Sequence, residues 1–133
     1  MKLVNKERML AEFKEVVAVP CHTLQERPVF EMLRTKLEAL GFTVEEDDAG
    51  EKLGGNCGNL WAFLPGNKAG AVSVLLSAHM DEVGFIVTSI TDDGYLKFST
   101  VGGIVPSAVF GRRVTFGEFS GVIAERPVHM VKG

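Results

Sequence analysis

Val72-Ser73-Val74-Leu75-Leu76-Ser77-Ala78-His79-Met80-Asp81 is the stretch on which the fold turns. Val72 to Ala78 is nearly all apolar and β-prone, with no polar face. A strand of that kind is usually buried on both sides, as in the middle of an α/β sheet. His79 and Asp81 follow where the strand runs out, and open α/β sheets bind ligands just beyond the carboxyl ends of their strands. Residues two apart on extended backbone point to the same side, so the imidazole and the carboxylate are expected next to each other. A neutral imidazole is a good zinc ligand. A carboxylate that accepts from its other ring nitrogen fixes the tautomer and aims the lone pair. As a bare pattern, however, His-x-Asp is weak. A lone histidine near a strand end more often has a structural role, and a catalytic metal needs about three protein ligands.

Outward toward the N-terminus, two helices are expected. In Asn5 to Val19, Met9, Leu10, Phe13, Val16 and Val17 recur at helical spacing, Asn5 suits the N-cap and Pro20 stops the run. In Pro28 to Leu40, Pro28 suits a first helical position and Val29, Leu33, Leu37 and Leu40 form the apolar stripe, with Gly41 fitting the C-terminal cap. Phe42 to Glu46 reads as a short strand, Asp47 to Asn59 as a loop, and Leu60 to Leu64 as a strand closed by the Pro65-Gly66-Asn67 turn. Helices followed by strands suit an α/β sheet covered by helices.

Outward toward the C-terminus, the pattern changes near Gly84 and no helical spacing is visible beyond it. Phe85 to Thr91 and Tyr95 to Thr100 are expected as strands of a hairpin turning at Asp92-Asp93-Gly94. Val109 to Phe116 and Val122 to Glu125 are expected as further strands. The expected organisation is therefore an α/β part over residues 1–84 and the start of an all-β part over residues 85–133. Three or four short strands would leave sheet edges unpaired, so the chain is expected to have been cut.

Composition excludes several classes. With 46% hydrophobic and 23% charged residues the chain is ordinary globular material rather than a solvated coil. The formal net charge of −3 and the lack of a basic stripe argue against nucleic acid. The longest apolar run, Ala71 to Ala78, is too short to span a bilayer, and Met1 to Leu10 has no signal-like apolar core. Cys21 and Cys57 lie far apart without CxxC spacing, which suits a reducing, cytoplasmic setting.

AHMDEVGFIV from Ala78, the hairpin after it, VGGIVPSAVFGRRV from Val101 and GVIAERPVH from Gly121 together resemble the glutamyl/deblocking aminopeptidases. That family includes proteins labelled endoglucanase or cellulase M and others that form tetrahedral particles. The likeness runs from about Asn56 to His129. It implies a partial catalytic α/β sheet domain (phosphorylase/hydrolase-like), then the beginning of an inserted all-β dimerisation domain. It implies a two-metal enzyme, with zinc or cobalt, that removes N-terminal residues from peptide substrates. On this resemblance His79 is a metal ligand and Asp81 the residue that orients it. Copies would associate as homo-oligomers through the β-domain, with no nucleic acid or membrane partner. The remaining ligands, and the glutamate that acts as general base, lie in that family after the inserted domain. The chain alone is accordingly expected to be inactive. Phe42 to Gly50 and the following GGNCGNLWAFLPG are similar instead to the related peptidase T-like tripeptidases, which leaves the substrate open.

Other residues have plainer readings. His129 is expected to be structural, Glu82 to have a surface or hinge role, and Cys21-His22 to lack partners at metal spacing. Gly102-Gly103 has no following helix to make an anion site and suits a bulge or turn. Asp92-Asp93-Gly94 lacks the later ligands of a calcium loop, and Ser77 lacks the Gly-x-Ser-x-Gly elbow. The rival to the enzyme is a non-enzymatic module that pairs through exposed strands, favoured by the absence of a second Asp/Glu/His cluster.

Overall fold

The structure is a computed structural model and describes residues 4–124. Two units separate by packing, Met1–Gly102 and Gly103–Gly133. Helices and strands are mixed, and the described strands form three separate two-stranded antiparallel sheets.

In the first unit, helix α1 spans Lys6–Val16 and begins at Asn5, whose side-chain oxygen accepts from the Arg8 N–H at 3.0 Å. That bond satisfies one of the donors a helix start leaves free. None of the α1 residues is buried. Its tie to the next helix is polar: the Lys36 ammonium lies 2.9 Å from Glu12 and 2.8 Å from Glu15.

Helix α2, Arg27–Ala39, carries Pro28 in its first turn, as its sequence suggests, and buries Val29 and Phe30 completely. It packs on the pair of strands β1, Thr43–Glu46, and β2, Leu60–Phe63. The register is Thr43 opposite Phe63 through Glu46 opposite Leu60.

The stretch between β1 and β2 was expected to be a loop but holds a short helix, α3, Ala49–Leu53. The Asp47 carboxylate organises it. Oδ1 accepts from the N–H of Ala49 at 3.0 Å and of Asn59 at 2.8 Å, and Oδ2 accepts from the Asn59 amide at 2.9 Å and the Trp61 indole at 3.0 Å. The Asn59 and Trp61 side chains, then the two backbone donors, hold this carboxyl far below the usual range. Two glycines permit the tight return: a Cβ on Gly58 would run into the Asp47 carbonyl oxygen, and one on Gly50 into that of Cys57. Arg27 closes the same region. Its guanidinium grips both Glu46 oxygens at 2.8 and 2.7 Å, donates to the Asn56 carbonyl at 3.0 Å, and lies 4.8 Å over the Phe30 ring.

The deciding stretch differs from its expected form. Residues 71–81 carry no strand assignment, and Val72, Leu75 and Leu76 are 87%, 78% and 89% exposed. A strand exists only where neighbours supply its ladder, and among the described residues none flanks this run. The expectation of a buried central strand is corrected, and with it the placement of His79 at the end of one.

β3, Gly84–Ile90, and β4, Leu96–Val101, form the expected hairpin. The register shifts between Val87 and Ser89, and Phe85 and Phe98 meet edge-to-face at 4.9 Å.

The second unit begins with a single 3-10 turn, Pro106–Ala108, where no helical segment was expected. It continues with β5, Arg113–Phe116, and β6, Phe119–Val122, joined by a tight turn and backed by Phe116 stacked on Phe119. The last strand among the described residues, Phe119–Val122, therefore lies earlier than the expected Val122 to Glu125. Glu125 and His129 fall outside the described residues.

Candidate functional site

The backbone around His79 and Asp81 is held by one long-range attachment. Residues 21–23 run parallel to residues 81–82, with a bridge between His22 and Glu82. The Glu82 N–H donates to the Cys21 carbonyl at 2.8 Å, and the Cys21 N–H donates to the Glu82 carboxylate at 3.3 Å. Cys21 is buried, and that burial is the main cause that pushes its thiol pKa up. Glu82, expected at the surface or a hinge, thus braces the segment that carries the motif. The His22 ring lies 3.9 Å from the same carboxylate.

His79 and Asp81 do come together. The His79 Nδ1 lies 3.0 Å from Asp81 Oδ1 and 2.9 Å from the Asp81 carbonyl oxygen. Both neighbours are acceptors while the carboxyl is ionised, so the neutral ring carries its hydrogen on Nδ1. The lone pair then sits on Nε2. The His79 side chain is 84% exposed, against 35% for Asp81.

The second carboxylate oxygen is also taken. Thr23 donates its hydroxyl hydrogen to Asp81 Oδ2 at 2.7 Å. This bond is the largest cause holding the Asp81 carboxyl below its ordinary range; partial burial opposes it, and the contact with His79 adds to it. Thr23 was not singled out in the sequence. It lies 58 positions from Asp81, and no spacing rule reaches that far.

Chemically, the arrangement can offer one nitrogen donor to a metal ion: an exposed imidazole backed by a carboxylate that is itself held by Thr23. Among the described residues no group of three or more His, Cys, Asp or Glu gathers to hold one. An open cleft of about 740 Å³ adjoins the pair, with walls that include Leu33, Leu37, Leu60, Leu75, His79 and Asp81. No helix among the described residues is long and apolar enough to cross a membrane.

The chain is 35% identical over 97 residues to the uncharacterized protein YqjE of Bacillus subtilis, covering 71% of this chain and 26% of that protein. It is 35% identical over 77 residues to a lysyl aminopeptidase of Pyrococcus furiosus, covering 55% and 21%. It is 29% identical over 138 residues to a glutamyl aminopeptidase of Lactococcus lactis, covering 100% and 35%. The chain thus spans about a fifth to a third of the length of these relatives. No solved structure matches it. The model of the M42 glutamyl aminopeptidases matches residues 58–133, more than half of the chain and the whole run from the motif through the hairpins, so the chain belongs to that peptidase family.

Proposed function

We propose that this chain is the N-terminal portion of a two-metal aminopeptidase, in which His79 is one metal ligand and Asp81 orients it. The observation that carries the reading is the His79–Asp81 contact through Nδ1, on a ring whose side chain is 84% exposed. The donor set suits zinc or cobalt as one nitrogen ligand of a larger set. When bound, two such ions polarise the scissile carbonyl and supply a nucleophile at neutral pH. His79 presents Nε2, Asp81 keeps the hydrogen on Nδ1, and Thr23 and Glu82 hold the segment that bears them. The remaining ligands and a glutamate general base belong to the rest of the parent protein.

Within this proposal, residues 1–84 begin the catalytic α/β domain. The strands from residue 85 begin an inserted β-domain through which copies associate, in the cytoplasm. The substrates are peptides with a free N-terminus, and the names of the relatives point to glutamyl or lysyl ends. The isolated chain is inactive because it brings one corner of the site.

A chimera tests the reading. Residues 1–133 replace the aligned third of the Lactococcus glutamyl aminopeptidase, and aminoacyl chromogenic substrates are assayed with zinc or cobalt. Metal-dependent turnover that His79→Ala lowers at least about a hundredfold supports it, since loss of a direct ligand exceeds the roughly 10–100-fold cost of losing a residue behind one. A folded, active chimera indifferent to His79→Ala contradicts it. Turnover by the purified chain alone would overturn the claim of inactivity.

A further inference from the structure

We propose that Thr23 is a positioning residue: its hydroxyl locks the Asp81 carboxylate so that Oδ1 faces the His79 ring and keeps the metal-binding nitrogen outward. The inference rests on the assignment of His79 as a ligand and extends it to a segment 58 positions away.

The geometry gives the two carboxylate oxygens separate tasks. Oδ2 accepts from Thr23 at 2.7 Å, and Oδ1 faces His79 Nδ1 at 3.0 Å. Hydrogen bonds to an ionised acceptor are shorter and about twice as strong as neutral ones. The Thr23 bond is the shorter of the two and fixes the carboxylate plane. Without it the carboxylate is free to rotate toward water, and His79 keeps only the Asp81 carbonyl on Nδ1.

The neighbouring backbone is shaped to present Thr23. Leu24 has φ +68°, and no other described residue apart from glycine has positive φ. A bulky residue in that region is disfavoured and persists only where its surroundings over-determine it. Three hydrogen bonds and a β-bridge surround the bend: Gln25 N–H to the His22 carbonyl at 2.8 Å, Asn56 N–H to the Leu24 carbonyl at 3.1 Å, Leu24 N–H to Glu26 Oε1 at 2.8 Å, and the pairing of His22 with Glu82. Gly84 leaves room for the His22 ring, since a Cβ there would stand 3.1 Å from its Nδ1. The bend turns the chain immediately after Thr23, while the bridge fixes it immediately before.

The test is nitrogen NMR of the imidazoles in the metal-free 133-residue chain, with His79 signals assigned through His79→Gln. In the parent chain the His79 ring populates chiefly the Nδ1–H tautomer. In Thr23→Val, which keeps the shape and removes the donor, it shifts toward Nε2–H, and Thr23→Ser restores it. Asp81→Ala, which removes the side-chain acceptor and keeps only the main-chain carbonyl, calibrates the largest shift that loss of the carboxylate can give. A Thr23→Val spectrum identical to the parent at His79, in a chain whose other amide resonances are unchanged, overturns the proposal. So does failure of Thr23→Ser to restore a lost tautomer. Zinc added to the same samples reads the ligand assignment separately. A His79 tautomer that follows Thr23 while Nε2 stays silent to zinc leaves the positioning intact and removes the metal reading. Zinc perturbing Nε2 equally in the parent and Thr23→Val chains, with equal tautomers, does the reverse.

Discussion

The region from Arg27 to Trp61 and the run from Val72 to Met80 are close in sequence and opposite in condition. In the first, nearly every polar group that shapes the turn has a partner within about 30 positions. Arg27 holds Glu46 and Asn56, Asp47 takes four donors, and Phe30 is fully buried on α2. The second is the most strand-like sequence in the chain, yet its side chains stand in solvent. A polar knot can close from local sequence. A strand apolar on both faces obtains its structure only from neighbours on both sides, which the described residues do not provide.

The contrast can be broken from its stronger side first. Phe30→Ala should cost about 3–5 kcal/mol, the usual range for deleting a buried aromatic, and so remove most of the cooperative unfolding of the first unit. A loss below 1 kcal/mol in thermal or denaturant melts would mean that Phe30 is not the centre of its core. Gly58→Ala forces a methyl group into the Asp47 carbonyl and should cost about 3 kcal/mol, the upper end for overpacking; a neutral result would show that the return from α3 can relax.

Acid should act on the same region. The Glu46 and Asp47 carboxyls are both held below their ordinary values in the fold, Glu46 chiefly by Arg27 and Asp47 chiefly by Asn59. Groups with depressed folded pKa values stabilise above their unfolded value, near pH 4, and lose that contribution as pH falls through the folded value. Melting temperature should therefore be flat above about pH 5 and fall below about pH 4. Asp47→Asn should flatten the acid limb, and an unchanged slope in that variant would contradict the role of Asp47. At the weak end, Leu75→Asn should change stability by no more than about 0.5 kcal/mol, as for an exposed position. A core-like loss there would erase the distinction between the two regions.

Much of the local structure was legible. Asn5 capping α1, Pro28 opening α2, the strands β1 and β2 taken singly and the β3–β4 hairpin all follow from short-range signals. α3 was hidden because Ala49-Gly50-Glu51-Lys52-Leu53 has little apolar pattern and depends on the Asp47 side chain to start. At the candidate site, period-two geometry did bring His79 and Asp81 together, although no ladder enforces the extended backbone. Thr23 and the bracing by Glu82 were illegible, since both depend on a contact between distant segments. The Val72 to Ala78 pattern describes the surroundings a sequence is suited to, and the surroundings themselves are a separate fact.

Backbone hydrogen exchange resolved by residue tests this account most directly, run on the 133-residue chain over a range of dilutions. The account predicts protected amides through α2, β1 and β2, and exchange near the rate of an unstructured peptide for Val74 to Ala78, with protection resuming at Glu82, whose N–H is bonded to Cys21. Protection of Val74 to Ala78 equal to that of α2, and surviving dilution, would contradict it and show the motif-bearing run to be an intact internal strand.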